Sequence, residues 1–326
     1  MQHKIALEEH YAIPETMEGS TLYGRDSPDN IGIPARLLDI MDHRIKEMDN
    51  NGIDITILSL NSPGIQEVYD VHKAVEVARV ANDRLAENIA KKRDRFRGFA
   101  AAPMQDPEQA AIEVRHAVRD LGMVGVLVNG YSQINTYENN VYLDDPMYDV
   151  FWDELEKLDV PFYIHPREPL MYNKMFLSDH QWLHGGAWSF GVETAMHILR
   201  LMTTGLFDRY PRLKLLVGHM GEGLPFLIWR CDNTINKRKR GMPAKRMMSE
   251  YMNENVWVTT SGQFNTPALM CTILQMSADR ILFSTDYPFE EVRDASTWFD
   301  ACSISHTDKL KIGRLNAINL FNLDLA

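Results

Sequence analysis

Acidic and imidazole side chains stand at the ends of four short apolar runs in this sequence. They are Glu8 and His10 in KIALEEH (4–10), His165 in VPFYIHP (160–166), His219 in KLLVGHM (214–220) and Asp286 in ILFSTDYP (281–288). Mixed imidazole and carboxylate ligands suit a borderline divalent ion such as Zn2+ or Mn2+. A single histidine at a strand end is more often a hydrogen-bonded structural residue. Five such side chains at matching ends indicate a catalytic metal site with positions open to water or substrate.

The alternation of side chains along a β-strand predicts which of these groups point together. In the first run Glu8 and His10 share one face, which we expect to point inward. Glu9 lies on the opposite face with Ile5 and Leu7, which we expect to pack on surrounding helices. The same alternation predicts which residues share a face in the later runs. His165 shares a face with Tyr163, His219 with Leu215 and Val217, and Asp286 with Leu282 and Ser284.

Eight apolar or β-branched runs alternate with helical patterns along the chain. The runs span 4–10, 54–60, 96–104, 124–130, 160–166, 214–220, 256–262 and 281–288. The helical patterns span 36–50, 72–92, 107–120, 146–158, 191–206, 223–239, 266–277 and 307–322. This α/β alternation predicts a single (β/α)8 TIM barrel domain over residues 1–326. An open doubly wound sheet is the alternative, but it would normally carry a Gly-rich phosphate loop after its first strand, and none is present there.

Two long connections, residues 11–35 and 167–190, follow strands 1 and 5. Long loops in a compact domain are usually lids or binding loops. In a barrel both would lie at the C-terminal face, where active sites are found.

Composition excludes some classes of protein. The net charge of −11 argues against a nucleic-acid partner, which would usually meet a basic stripe. No apolar stretch approaches the roughly 18 residues that a membrane span needs, and the N-terminal pattern is not that of a signal peptide. Three scattered cysteines fit a reduced, cytoplasmic protein. An acidic substrate would need a local positive charge in so acidic a chain.

These residues and their surroundings resemble the amidohydrolase superfamily, in its aminocarboxymuconate-semialdehyde decarboxylase-like branch. The shared landmarks are ALEEH, ILSLNSPG (57–64), PFYIHP, GVETAMHILRL (191–201), DRYPRLKLLVGHMGEGLP (208–225) and DRILFSTDYPFE (279–290). The superfamily usually opens with His-x-His, where this chain has Glu8-x-His10. Many relatives also place a carboxylated lysine after strand 4, where this chain has Asn129, and that departure favours one metal ion over two.

The resemblance implies a set of site residues and an assembly. Glu8, His10, His165 and Asp286 would ligate one Mn2+ or Zn2+ ion per subunit, with no organic cofactor. Catalytic roles would fall to Asp286, His219 and Glu222, and substrate contacts to Asn129, Arg230, Tyr23 and Phe289. The resemblance further implies a homotetramer, a dimer of dimers, in which Arg230 reaches the site of a neighbouring subunit.

The activity implied is that of a carbon–carbon lyase, the reversible non-oxidative decarboxylation of a dihydroxybenzoate. Relatives that act on 2,3-dihydroxybenzoate, salicylate or carboxyvanillate tend to have Ala where this chain has His10, so His10 favours 2,6-dihydroxybenzoate, which would yield resorcinol. Asp286, held by His219, would protonate the ring carbon. Decarboxylation of 2,3-dihydroxybenzoate or salicylate remains an alternative. The same ligands could also activate water against an ester, lactone or amide, and a metal-dependent binding protein is a third interpretation.

Overall fold

Eight parallel strands form the (β/α)8 barrel in a computed structural model that describes residues 1–17, 31–170 and 179–325. The barrel strands are β1 (Lys4–Tyr11), β2 (Ile53–Leu60), β3 (Phe96–Ala101), β4 (Gly125–Asn129), β7 (Phe162–His165), β8 (Leu215–Val217), β9 (Val256–Thr259) and β10 (Ile281–Leu282). A short antiparallel ribbon, β5 (Ser132–Gln133) and β6 (Asn140–Val141), follows β4. Each barrel strand neighbours the next one in chain order, so the predicted barrel topology is confirmed.

Helices connect and surround the strands. They span Pro14–Met17, Ile33–Leu38, Asp42–Asn50, Val71–Lys91, Pro107–Arg119, Asp149–Leu158, Ser189–Thr203, Leu206–Arg209, His219–Glu222, Leu224–Lys237, Met248–Asn255, Thr266–Met276, Val292–Ala301, His306–Leu310 and Asn316–Phe321, with a π-turn at Lys311–Leu315. Three-residue and four-residue 3-10 turns occur at Gly64–Glu67, Pro146–Tyr148, Gln181–Leu183, Gly185–Ala187 and Ala278–Arg280. Within the described residues, no helix combines the length and apolar character that crossing a bilayer requires.

Side-chain caps explain where two of these helices begin. The helix predicted over 36–50 is interrupted because Asp39 is extended, and its carboxylate accepts hydrogen bonds from the backbone N–H groups of Asp42 and His43 at 2.8 Å each. Asp106 caps the helix predicted over 107–120 by accepting a hydrogen bond from Gln109 N at 3.1 Å. A strong local cap therefore determined the boundary in both cases.

The barrel interior is an apolar cluster to which all eight strands contribute. Its strand members are Ile5, Leu7, Ile55, Ile57, Phe99, Leu127, Tyr163, Leu216 and Leu282, with Trp257 packed against them. Side chains near the C-terminus of the chain, from Ala317 to Leu323, pack on the same cluster. The interior thus closes below the polar strand ends, and the functional side chains lie above an apolar floor.

The first strand does not follow the predicted alternation. Ile5 and Leu7 belong to the barrel interior, so the expectation that they pack on the helices is wrong. The register with β2 skips Glu8, which has a left-handed φ of 63° and forms a β-bulge between Leu7 and Glu9. The extra residue lets Glu8 and His10 both face the barrel mouth, and Glu9 still points away.

Hydrogen bonds beyond the short strand β10 close the barrel against β1. The Thr285 backbone N–H donates to the Glu9 carboxylate at 2.8 Å, and the His10 N–H donates to the Tyr287 carbonyl at 2.7 Å. These contacts bring the segment after β10 against the C-terminal half of β1. Glu8 and His10 are thereby held beside Asp286, although Asp286 is distant from them in the sequence.

Candidate active site

Four candidate ligands converge at the C-terminal mouth of the barrel. Glu8 and His10 come from β1, His165 ends β7, and Asp286 follows β10. One ligand atom from each lies within 4.8 Å of all the others. His10 Nε2 is 3.3 Å from Asp286 Oδ1, and His165 Nε2 is 3.5 Å from Glu8 Oε1. This arrangement fits a single cation bound by two imidazoles and two carboxylates.

Buried polar atoms without partners support that interpretation. Glu8 Oε1 and His10 Nε2 are buried, and neither has a hydrogen-bond partner among the described residues. The opposite atoms of both side chains are held. Glu8 Oε2 accepts from Tyr163 Oη and, at 3.0 Å, from Thr259 Oγ1, while His10 Nδ1 lies 3.2 Å from Ser59 Oγ. Buried polar atoms are rarely left unpaired, so a cation between them accounts for the geometry.

Two glycines leave room for the cluster. A Cβ on Gly218 would lie 2.8 Å from Glu8 Oε1, and one on Gly262 would lie 2.9 Å from His219 Cδ2 and 3.2 Å from Asp286 Oδ2. Gly262 also has a φ of 59°, which favours glycine. Any larger residue at either position would displace a candidate ligand or its neighbour.

His219 reaches the cluster by a different route from the predicted one. Leu216 faces the barrel interior, whereas Leu215 and Val217 pack in the outer core, so the predicted shared face of Leu215, Val217 and His219 is wrong. The strand ends at Val217, and His219 adopts a left-handed φ of 50° in the following turn. This turn returns the imidazole to the mouth.

His219 links two carboxylates. Its Nδ1 lies 2.7 Å from Glu222 Oε1, and its Nε2 lies 3.6 Å from Asp286 Oδ2. Burial on its own lowers the pKa of His219, but the nearby carboxylates, first Glu222 and then Glu8, hold that pKa well above its usual value. Burial on its own raises the pKa of Asp286, but the adjacent imidazoles of His10 and His219 hold it below its usual value. Both shifts favour a proton on His219 over a proton on Asp286.

Two of the four proposed substrate contacts lie beside the cluster. Asn129 ends β4 opposite His165 in the sheet register, and its buried Oδ1 has no partner in the described part of the chain. The Phe289 ring lies 5.5 Å from the His10 ring, centroid to centroid. An amide and an aromatic face at these positions could meet a planar aromatic ligand.

Of the other two proposed contacts, the structure places only Arg230, and it does not bring Arg230 to this site within its own subunit. Arg230 is exposed on the helix Leu224–Lys237. Tyr23 lies outside the described residues.

A groove of about 520 Å³ opens beside the cluster. Its lining includes His219, Glu222 and Gly262 together with apolar residues such as Trp188 and Leu227. This volume is within the range of small-molecule sites, and the lining combines an apolar wall with a few polar groups. An aromatic ring with polar substituents fits such a groove.

Three further residues hold the candidate ligands from behind, and the sequence pattern alone assigns them no role. Tyr163 lies two residues before His165, and the alternation of side chains puts both on the inner face of the strand. That position alone does not reveal its hydrogen bond to Glu8. Ser59 and Thr259 were not identified either. Each is a hydroxyl near the end of an apolar strand, and that polar interruption was the available signal.

The fold and this mixed imidazole–carboxylate site define a class of protein. The amidohydrolase family profile matches residues 22–323, and the chain belongs to that family. The sequence is 53% identical to the gamma-resorcylate decarboxylase of Rhizobium sp. (strain MTP-10005) and 51% identical to that of Rhodococcus jostii (strain RHA1), with at least 99% of each chain covered. Membership of the superfamily, predicted from the landmarks, is confirmed.

Solved structures show the same similarity. A crystal structure of 2,6-dihydroxybenzoate decarboxylase complexed with 2,6-dihydroxybenzoate is 52% identical, with a TM-score of 0.95 and coverage of 99% of this chain and 100% of that one. A dihydroxybenzoic acid decarboxylase from Polaromonas sp. JS666, with bound manganese and the inhibitor 2-nitroresorcinol, is also 52% identical. Its TM-score is 0.94, and the match covers 99% of this chain and 97% of that one.

Proposed function

We propose that this protein catalyses the reversible, non-oxidative decarboxylation of 2,6-dihydroxybenzoate to resorcinol and CO2. The observation that carries the proposal is the convergence of Glu8, His10, His165 and Asp286 beside the His219–Glu222 pair. Identity above 50% over nearly whole chains with gamma-resorcylate decarboxylases supports the choice of substrate.

The four ligand candidates would hold one divalent cation per subunit. When bound, the cation would supply positive charge that attracts the substrate carboxylate and an adjacent phenolate oxygen. Tyr163 and Thr259 orient Glu8 for this task, and Ser59 orients His10. Asn129 and Phe289 contact the ring, and the resemblance to the family adds Tyr23, which lies outside the described residues, as a further substrate contact.

Asp286 is the proposed proton donor. An aryl carboxylate loses CO2 with difficulty because the aryl anion left behind is very unstable, and protonation of the ring carbon avoids that anion. Asp286 takes up the proton that His219 holds and delivers it to the carbon that bears the carboxylate, and a C–H bond forms. The bond to the carboxylate then breaks, its electron pair returns to the ring, and CO2 leaves. His219, oriented by Glu222, then takes up a new proton from solvent. One proton and one electron pair move, so no organic cofactor is needed.

Mn2+ is the proposed native metal, with Zn2+ as the alternative. Imidazole and carboxylate ligands accommodate both ions, and the Polaromonas relative contains manganese. Metal analysis of purified protein, followed by reconstitution of metal-stripped protein with each ion, tests this choice. Equal turnover with Zn2+ and a native zinc content would overturn it.

A substrate panel tests the reaction. The metal-replete enzyme should release CO2 from 2,6-dihydroxybenzoate with a kcat/KM at least tenfold higher than for 2,3-dihydroxybenzoate, 2,4-dihydroxybenzoate or salicylate. Acid production from lactones or esters with no CO2 release would instead identify a hydrolase. Tight binding of 2,6-dihydroxybenzoate with no turnover would identify a binding protein.

The proposal includes a homotetramer, a dimer of dimers, in which Arg230 serves a neighbouring subunit's site. Large apolar side chains are exposed on the same helix, with Phe226 at 79% and Trp229 at 71% of their full accessibility. Exposed apolar groups of this size are typical of interaction surfaces. Arg230 shares that helix and would bring positive charge to an oxygen of the bound acid.

Subunit mixing tests the role of Arg230. At 2,6-dihydroxybenzoate concentrations well below KM, Arg230→Met and Asp286→Asn homo-oligomers should both be far less active than the wild type. Hybrids of the two variants should regain activity, because a site with its own Asp286 then meets an intact Arg230 from the neighbour. Hybrids no more active than their parents would show that Arg230 acts within its own subunit or not at all.

A cytoplasmic location completes the proposal. Cys231, Cys271 and Cys302 are all free thiols, which is typical of proteins in reducing compartments. Fractionation of the native host, followed by immunodetection of this protein, tests the assignment.

A further inference from the structure

The segments that carry the candidate ligands are joined behind the cluster by buried side chains that have no part in the proposed chemistry. Glu9, 3% exposed, faces away from the mouth. Its carboxylate accepts from Thr285 N at 2.8 Å and from Thr285 Oγ1 at 2.7 Å. We call this pair of contacts the Glu9–Thr285 clamp. It connects β1 to the residue directly before Asp286.

The clamp acts where the backbone needs support. Asp286 has a left-handed φ of 65°, and Glu8, on the β1 side, has a φ of 63°. Left-handed conformations of non-glycine residues persist only when the surrounding structure holds them. The strand ladder cannot do so here, because β10 ends at Leu282, three residues before Thr285. Side-chain hydrogen bonds therefore replace the ladder at this position.

A second set of contacts ties β1 to Tyr287, the residue directly after Asp286. Arg44, 2% exposed, donates from Nη2 to the His10 carbonyl, and its guanidinium lies 4.4 Å from the centroid of the Tyr287 ring. The backbone carbonyl of Tyr287 also accepts a hydrogen bond from the His10 N–H at 2.7 Å. Asp286 thus lies between two residues, Thr285 and Tyr287, that are each tied to β1.

We propose that Glu9 and Thr285 are positioning residues that set the location of Asp286 relative to Glu8 and His10. The inference rests on the proposed metal site and goes beyond it, since among the described residues no hydrogen bond joins either side chain to a ligand atom of the cluster. Loosening the clamp would shift a metal ligand that is also the proposed proton donor. Metal affinity and kcat should therefore fall together, whereas KM for the aromatic acid should change little.

Thr285→Val is the central test, because it keeps the β-branched shape and removes only the hydroxyl. We expect Mn2+ binding to metal-stripped protein, measured by calorimetry and by the electron paramagnetic resonance signal of free Mn2+, to weaken about 10- to 100-fold. We expect kcat to fall by a similar factor at saturating Mn2+, with KM within about threefold of wild type. Thr285→Ser, which restores the donor, should return both quantities to within about threefold of wild type.

A matched pair of buried carboxylates separates positioning from general stability. Glu113, 2% exposed, accepts from Asn82 at 2.8 Å and from Arg79, and it touches none of the ligand candidates. Glu9→Leu and Glu113→Leu should both lower the melting temperature, but only Glu9→Leu should weaken Mn2+ binding. If Glu9→Leu fails to fold, the comparison of Thr285→Val with Glu113→Leu serves the same purpose.

Two outcomes would overturn the inference. One is a Thr285→Val protein whose Mn2+ affinity and kcat equal those of wild type. The other is a Glu113→Leu protein that loses Mn2+ affinity in proportion to its loss of stability. Because Mn2+ binding is measured without substrate, a wild-type protein that binds Mn2+ but releases no CO2 would refute the proposed reaction and leave the clamp tested on its own.

Discussion

Replacement of Asp286 by asparagine separates proton transfer from metal binding. Oδ1 of Asp286 lies on the side of His10, 3.3 Å from Nε2, whereas Oδ2 faces His219 Nε2 at 3.6 Å. An asparagine can keep an amide oxygen toward His10 and the metal position, but it offers no carboxyl proton on the other side. Metal should therefore stay largely bound while turnover fails.

The expected loss follows from the role assigned to Asp286. General acid catalysis by a positioned side chain typically contributes about 10²- to 10⁴-fold to rate, which corresponds to about 3–5 kcal/mol of barrier. The variant should lose at least this factor in kcat, because the proposed donor is gone and the other carboxylate near His219 Nε2, that of Glu8 at 3.9 Å, is a proposed metal ligand. Glu222 lies behind His219, bonded to its Nδ1 at 2.7 Å.

The assay combines metal content with resorcinol formation from 2,6-dihydroxybenzoate. Glu291→Gln is the matched control, since it makes the same carboxylate-to-amide change on an exposed residue five positions away. The control should retain activity within about twofold, as expected for a surface change. In D2O, wild-type enzyme should place deuterium at the former carboxyl-bearing carbon. An Asp286→Asn protein with near-normal turnover, or resorcinol without that deuterium, would refute the assigned role.

Three further predictions follow from the same geometry. Glu222→Gln removes the charge that orients His219, so kcat should fall about 10-fold or more while metal content is unchanged, as measured by elemental analysis and steady-state kinetics. Removal of the metal by chelation should lower the melting temperature, and Mn2+ at about 100 times its Kd should restore about 2.7 kcal/mol of stability, measured by denaturant unfolding. Burial lowers the pKa of His197 to about 3, and its Nε2 accepts from Leu143 N at 3.0 Å. The unfolded chain then binds a proton that the folded chain rejects between about pH 6.5 and 3, so unfolding free energy should fall by about 2 kcal/mol from pH 7 to 5, and by clearly less in His197→Gln.

Barrel architecture and the ligand types could be predicted from sequence because both depend on repeated local patterns. Eight apolar runs separated by helical periodicity leave few topologies, and parallel strand ends meet at one face. Glu8, His10, His165 and Asp286 were identified at run ends, and the structure brings their ligand atoms within 4.8 Å of one another. The agreement between sequence and structure is therefore about which strand ends come together at the barrel mouth.

The local backbone could not be predicted, because a period-two count assumes an unbroken strand. At β1 the count put Ile5 and Leu7 outside, whereas the bulge at Glu8 puts them inside and still leaves Glu8 facing the mouth. At β8 the strand ends before His219, so a turn with positive φ determines the direction of the imidazole. Bulges and left-handed turns at non-glycine residues depend on tertiary contacts that carry no strong local signal.

The balance of charge at the proposed site gives a reason for the proposed assembly. Glu8, Asp286 and Glu222 bring three negative charges around one imidazolium, His219, and imidazoles that ligate a metal must be neutral. A single divalent cation offsets the surplus of two negative charges. The bound substrate, with its carboxylate and a phenolate, then adds two more that this chain's described site does not balance. Arg230 from a neighbour would supply part of that balance.

Dissociation of the assembly should therefore raise KM more than it lowers metal affinity. A Phe226→Glu variant places charge on the exposed apolar face beside Arg230 and should yield smaller oligomers by light scattering. Such a protein should keep its Mn2+ and bind 2,6-dihydroxybenzoate at least about 10-fold more weakly, because losing one partner of a charged pair costs at least one decade in affinity. Asp286→Asn should instead lose kcat and keep the wild-type KM. If the dissociated variant retained wild-type KM, substrate charge would have to be balanced within one subunit, and the proposed role of Arg230 would be rejected.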